Sequence, residues 1–246
     1  MKRDATQKVC FITGASGRLG REIAISLAGR GYAICFTYFS SEERAQDTLD
    51  ELQRISPSST MIYCDVAKVE SIQKAFEFFR TQYSRLDLAI TNASNFFPTL
   101  LPNIAEKDWD NLVNTNLKGT FFTMQEAVKI MQAQDFTSRI ITITDISAEL
   151  VWRRFAPYTV SKSGIQHLTK IFAKEFAPKI LVNSIAPGTL LLNPDRDTAY
   201  EAEILKKIPL QKFGSPNDIV QAVMFLVDSE YITGEILRID GGRRLY

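Results

Sequence analysis

The sequence predicts a doubly wound parallel sheet with helices on both faces, folded as one α/β domain over residues 1–246. Two observations predict it. Strand-like and helix-like segments alternate from end to end, with no Pro/Gly-rich linker, repeat or low-complexity stretch between them. The strands also read as nearly unbroken apolar runs, the mark of strands covered on both faces.

Composition narrows the function classes. Near-balanced charge, 29 Lys+Arg against 28 Asp+Glu, supplies no basic stripe for nucleic acid. No apolar run approaches the roughly 18 residues of a membrane span, and MKRDATQK passes straight into a strand without a signal-peptide core. The expected location is therefore the cytoplasm, with no membrane or nucleic-acid partner. Cys10, Cys35 and Cys64 have no metal-type spacing and fall in strands, so they read as buried reduced thiols and no metal is expected.

Val9 to Thr13 reads as the first strand, followed by GASGRLG and a helix carrying Leu19, Ile23 and Leu27 at spacings of four. Gly14, Gly17 and Gly20 let backbone approach a pyrophosphate, which the helix N-terminus favours; a plain tight strand-to-helix turn is the alternative. Arg18 favours the anion site, since a cation at the positive end of a helix wants an anion nearby. The second strand, Tyr32 to Phe39, ends in Thr37, Tyr38, Phe39, Ser40 and Ser41, with no carboxylate to grip a ribose 2′-hydroxyl. A 2′-phosphate is accepted more easily there, with Ser40 and Ser41 as donors and Arg44 as counter-charge, so NADPH is expected over NADH. Ser41 also reads as a helix cap before a Glu-rich turn.

Thr60 to Asp65 is a third strand ending in an acid. Lys68 to Tyr83 is a helix with Ile72, Ala75, Phe76, Phe79 and Tyr83 on its core face. Leu86 to Thr91 is a fourth strand, and Asn92-Ala93-Ser94 follows at its carboxyl end, where open α/β sheets bind ligands. NFFPTLLPNI is a loop too apolar to be plain, with Phe96 either plugging the core or stacking on a ligand. Trp109 to Gln134 is helical, interrupted at Asn116 and Gly119, and a core-facing Asn needs a partner.

Ile140 to Thr144 is a buried strand closed by Asp145. Tyr158 and Lys162 lie four apart on the next helix, which puts both on one face, the ammonium close enough to favour phenolate and lower the phenol's pKa. A Tyr/Lys pair on a solvated face is the alternative. The helix stripe continues through Ile165, Leu168, Phe172 and Phe176, and His167 reads as structural or exposed. Lys179 to Ile185 is the sixth strand. Pro187-Gly188 then opens a loop and short helix, a candidate lid over about 189–213, before a last helix through Ile219 and Leu226 and a last strand, Glu235 to Ile239.

TGASGRLG, CDV at Asp65, NAS at Asn92, NTNLKG at Asn116, Tyr158-x-x-x-Lys162, Pro187-Gly188 and IDGG stand in an order that resembles the short-chain dehydrogenase/reductase family over essentially the whole chain. The resemblance implies a Rossmann-type fold and NADPH held by Gly14, Gly17, Arg18, Leu19, Gly20, Tyr38, Ser40, Ser41, Asp65, Val66, Asn92, Ala93, Ser94, Pro187, Gly188 and Thr189. It implies Tyr158 as proton donor, Lys162 lowering its pKa and holding the nicotinamide ribose, Asn116 supporting Lys162 through a water, and Asp65 meeting the adenine. Commoner members carry Gly at Arg18 and Ser at Asp145. Those two departures, with NASNFFPTLL, resemble the pteridine reductase branch, which implies Arg18, Ser94, Phe96, Asp145 and Tyr158 at a pterin or folate substrate, and a homotetramer through the helices of Met124 and Leu168 and the C-terminal tail. Leu192 replaces a common Thr, with Thr189 as the candidate substitute.

Physics supports the branch separately. A carboxylate at position 145 would repel the oxyanion of a ketone, whereas reduction of a pterin C=N bond needs a proton at nitrogen. The alternative is that Asp145 only caps the next segment and Thr144 or Ser147 is the functional hydroxyl. Rival readings are a 3-oxoacyl or general carbonyl reductase of the same family and a non-catalytic NADPH sensor. An enoyl reductase resembles the chain less, since that branch spaces its Tyr and Lys more widely.

Overall fold

In the computed structural model, residues 6–190 and 198–245 are described, the latter with side chains from 201 onward. The apolar runs VCFI, AICFTY, LAIT, SRIITI and ILVNSIAP are almost wholly buried, as expected of strands covered on both faces. They form β1 (Val9–Ile12), β2 (Ala33–Tyr38), β4 (Leu88–Thr91), β5 (Ser138–Ile143) and β6 (Ile180–Pro187). With β3 (Thr60–Tyr63) and β7 (Ile236–Ile239) they make one parallel sheet in the order β3-β2-β1-β4-β5-β6-β7.

Each face of the sheet has its own core. On one, α1 (Arg18–Gly29), α2 (Glu42–Ile55) and α8 (Pro216–Asp228) contribute Ile23, Leu27, Leu52, Ile219 and Val223. On the other, α3 (Val69–Gln82), α5 (Gly119–Met131) and α6 (Ala156–Phe176) contribute Phe76, Phe79, Met124, Met131 and Phe172. The expected interruption of the long helix at Asn116 is real: α4 (Glu106–Val113) passes into a π-helical turn, Asn114–Lys118, before α5.

Strand order reverses between β1 and β4, so the segments leaving their carboxyl ends diverge and open a crevice. Thr13, at the end of β1, ties the two sides: its hydroxyl accepts from the backbone of Asn92 and Ala93. The candidate lid is pinned at its base, where Leu190 bridges Gly214, and α7 (Thr198–Leu205) lies within it. Residues 191–197, with Leu192, lie outside the described residues. Among the described residues no helix is long and apolar enough to cross a membrane. The three cysteines are buried, and burial pushes the Cys64 thiol up to about 11.

Candidate active site

A cavity of 1280 Å³ runs along the carboxyl ends of the strands from the β2 end to the C-terminal turn. It is lined by every residue that the family resemblance assigns to the site except Ser41 and Asn116. At one end lies the glycine turn. A methyl group at Gly20 would sit 2.4 Å from the Gly14 carbonyl and 2.6 Å from the Asn92 amide, so only Gly lets the α1 entry close on β4. Space beside Gly17 is open, and no side chain caps the start of α1, which leaves its amides to face the cavity. Asn92 braces this turn rather than reaching outward, donating to the Thr13 and Gly14 carbonyls at 3.1 and 2.9 Å.

Arg18 stands at φ 53°, the left-handed region. That explains why Gly is the commoner residue there, and a non-Gly residue gives up roughly 1–2 kcal/mol. The exposed guanidinium lines the cavity. An outlier retained at a cavity wall is a mark of function.

Around the β2 end, Thr37, Tyr38, Phe39 and Ser40 line the cavity and Ser41 does not. Its hydroxyl accepts from the Arg44 amide at 3.3 Å, as the capping reading expects, and Arg44 is turned to solvent outside the cavity wall. Asp65 accepts from the Ala67 amide and pairs with Lys68 at 3.3 Å, with Val66 beside it on the wall.

At the centre, α6 starts with Pro157 in its first turn and turns Tyr158 and Lys162 inward, both buried. Asp145 uses both carboxylate oxygens. Oδ1 accepts from the Ser147 amide at 2.6 Å, capping a short 3-10 turn, while Oδ2 accepts from the Tyr158 hydroxyl at 3.0 Å. Neither alternative hydroxyl takes its place. Thr144 is spent on Ser184 and the Ile185 carbonyl, and Ser147 does not line the cavity.

The electrostatics oppose one expectation: burial and the adjoining Asp145 push the Tyr158 pKa well above its usual value, outweighing the Lys162 ammonium, which still favours an anion there. The ammonium is 5.5 Å from the Tyr158 ring centre and donates to the Ile143 carbonyl at 3.2 Å, while the carboxylate touches the hydroxyl directly. Burial raises Asp145 as well, and burial lowers Lys162 to about 8, only partly offset by Asp145. Above that pH Lys162 becomes neutral and no longer offsets an anion formed on Tyr158. We therefore expect kcat/KM to fall as pH rises through about 8; a pH–rate profile flat to pH 9.5 would contradict it.

Asn116 is the second residue off the wall. Its side chain is wholly buried, accepting from the Asn95 amide and Ser94 hydroxyl and donating to the Asn95 carbonyl and Ser161 hydroxyl. It fixes the loop that carries Phe96 to the helix that carries Tyr158.

Sequence reading missed the aromatic wall. Phe96, 56% exposed, lies parallel to Phe155 at 4.8 Å and meets Tyr158 edge-on at 4.8 Å, with Trp152 beyond at 6.5 Å. Arg243 also lines the cavity, its guanidinium 5.2 Å from the Trp152 ring centre and its Nη1 donating to Thr189. Thr189 therefore reaches the cavity with its oxygen already accepting. VWRRF and DGGRR carry visible aromatic and basic signals, but nothing local says that they meet.

Known proteins match this chain over nearly its whole length. The profile of a family described as Enoyl-(Acyl carrier protein) reductase matches residues 14–244. A 3-oxoacyl-[acyl-carrier-protein] reductase of Staphylococcus epidermidis is 32% identical over 240 residues, 96% of this chain and 98% of that one. The chain belongs to the short-chain dehydrogenase/reductase family. A short-chain dehydrogenase/reductase from Serratia marcescens superposes with a TM-score of 0.90 at 30% identity, covering 98% of this chain and all of that one. An acetoin dehydrogenase from Enterobacter cloacae gives 0.88 at 29% identity, covering 98% and 97%. The chain is thus an oxidoreductase of a family that works with a nicotinamide dinucleotide, and the glycine turn, with its open Gly17 and uncapped amides, fits that group.

Proposed function

We propose that this short-chain reductase is an NADPH-dependent pteridine reductase that reduces a C=N bond of a dihydropterin or pterin, dihydrofolate included. The observation that carries the reading is the Tyr158–Asp145 hydrogen bond at 3.0 Å. NADPH, when bound, supplies hydride to the ring carbon. Tyr158 gives its phenolic proton to the ring nitrogen as the C=N π pair moves onto that atom. Asp145, held against the Tyr158 hydroxyl, orients the phenol and passes a solvent proton on to the phenolate. Lys162 stabilises the transient anion. Phe96 offers a flat face for the pterin, and Arg18 a cation for its polar edge or for cofactor phosphate. NADPH is preferred because the β2 end has Tyr38 and Ser40 on the cavity wall and no carboxylate.

A second reading is a 3-oxoacyl reductase, which the relatives support better than the first, since their printed activity at 32% identity is of that kind. The two differ in what position 145 must do. Coupled assays of NADPH and NADH absorbance, on dihydrobiopterin, dihydromonapterin, dihydrofolate and an acetoacetyl thioester, test the proposal. Turnover of the thioester alone would replace it with the second reading, and absence of any turnover would favour a sensor.

We propose in addition that the enzyme is a homotetramer. Val113, Leu117, Phe121, Gly164 and Leu168 form an apolar groove where the end of α4, the π-helical turn and α5 meet α6, beside an exposed His167. Met124 is not part of that surface, being wholly buried in the chain's own core. Light scattering at micromolar concentration should give four times the 27.8 kDa chain mass; a monomer would end the idea.

A further inference from the structure

Phe96 is exposed on the cavity wall and sits on a loop, where an untethered ring would have to be ordered before a flat substrate could stack on it. Two anchors flank it. On its carboxyl side, the Thr99 amide donates to the Arg154 carbonyl at 2.6 Å, which ties the loop to the segment carrying Phe155, the ring stacked on Phe96. On its amino side stands Asn95.

The Asn95 backbone is held by one side chain, its amide donating to Asn116 Oδ1 at 2.8 Å and its carbonyl accepting from Asn116 Nδ2 at 3.0 Å. Its own side chain adds a second hold. Asn95 Nδ2 donates to Asn111 Oδ1 at 2.7 Å and to Thr115 Oγ1 at 3.2 Å. Asn111 lies in the last turn of α4 and Thr115 in the π-helical turn that follows, four residues apart and so on one side of the helical segment. The residue next to the exposed ring is therefore clamped to a helix through its side chain as well as its backbone. Asn95 lines the cavity, and the proton path does not use it.

We propose that Asn95 is a positioning residue, whose side-chain amide bridges Asn111 and Thr115 and so presets the Phe96 ring for the substrate. A ring set in advance costs less ordering on binding, and the gain falls on substrate affinity rather than on the chemical step. The inference rests on the pteridine reading in that a flat ring stacks on Phe96; an acyl substrate would pack on the same wall.

A double-mutant cycle of Asn95→Ala with Phe96→Ala tests it. In the wild-type background Asn95→Ala should raise substrate KM about fivefold, with kcat, NADPH affinity and the thermal midpoint close to wild type. In the Phe96→Ala background, where no ring remains to be set, the same substitution should move KM less than about twofold. Asn111→Asp keeps an acceptor for the Asn95 amide and should hold KM near the wild-type value, whereas Asn111→Leu should raise it by part of the Asn95 effect. A general structural role, or a direct contact of Asn95 with substrate, would raise KM equally in both backgrounds, and that result overturns the inference. So does an unchanged KM in the wild-type background. A loss that falls on kcat overturns it too, because the effect would then run through Asn116 to Tyr158. The cycle is read on whichever of dihydropterin and acetoacetyl thioester the wild type turns over, so turnover of the thioester alone ends the pteridine reading while the cycle still decides this one. Turnover of neither ends both.

Discussion

Tyr158→Phe should lower kcat about 10²–10⁴-fold, the range of a lost general acid, with NADPH affinity and folding nearly unchanged. The substitution removes one oxygen whose bond in the structure runs to Asp145, and it keeps the ring that meets Phe96 edge-on at 4.8 Å. Because kcat rather than KM carries the loss, the missing interaction belongs to the transition state. Fluorescence titration with NADPH and single-turnover rates measure the two quantities, and a thermal midpoint near that of the wild type excludes unfolding. A kcat within threefold of wild type would mean that the proton comes from another group. The raised pKa of Tyr158 gives this expectation its sign: at neutral pH the phenol is protonated, ready to give its proton rather than to take one.

The strands were legible because a parallel sheet buried on both faces forces continuous apolar runs, and VCFI and LAIT leave no other reading once helices alternate with them. Most of the cofactor end was legible too, since a glycine turn between strand and helix is a local requirement. Ser41 failed as a cavity residue for an equally local reason. A serine just before a helix satisfies an orphan amide, and that bond holds its side chain at the helix end, off the cavity wall. Asn116 shows a different limit: its burial was legible, but its partners at Asn95 and Ser161 come from other elements. The pKa of Tyr158 was misread because a spacing of four reports only that Lys162 shares its face. It says nothing of a carboxylate thirteen residues upstream that lies closer to the hydroxyl. Trp152 and Arg243 meet only because the turn at Gly241 and Gly242 folds the chain's end back over the cavity.

Asp145→Ser separates the two readings of the activity. Serine can still cap the 3-10 turn through its oxygen, so the Ser147 amide keeps a partner and stability should change little. What is lost is the carboxyl group beside Tyr158. For C=N reduction that removes the group that orients the phenol and passes protons on to it, and dihydropterin turnover should fall about 10²–10⁴-fold, as expected for an acid–base group. Asp145→Asn should be comparably damaging for a distinct reason. Its carbonyl can keep the cap, but then its amide nitrogen faces the phenol, which must accept where it used to donate. For a ketone the sign reverses, since removing a negative charge next to a developing oxyanion lowers the barrier and a serine hydroxyl can donate to it. The Ser variant should therefore gain activity on an acetoacetyl thioester as it loses activity on dihydropterin. If the wild type already reduces the thioester well and ignores pterins, or if Asp145→Ser leaves pterin turnover intact, the carboxylate has no part in proton delivery, and the ketone chemistry printed for the 32%-identical relatives becomes the reading to keep.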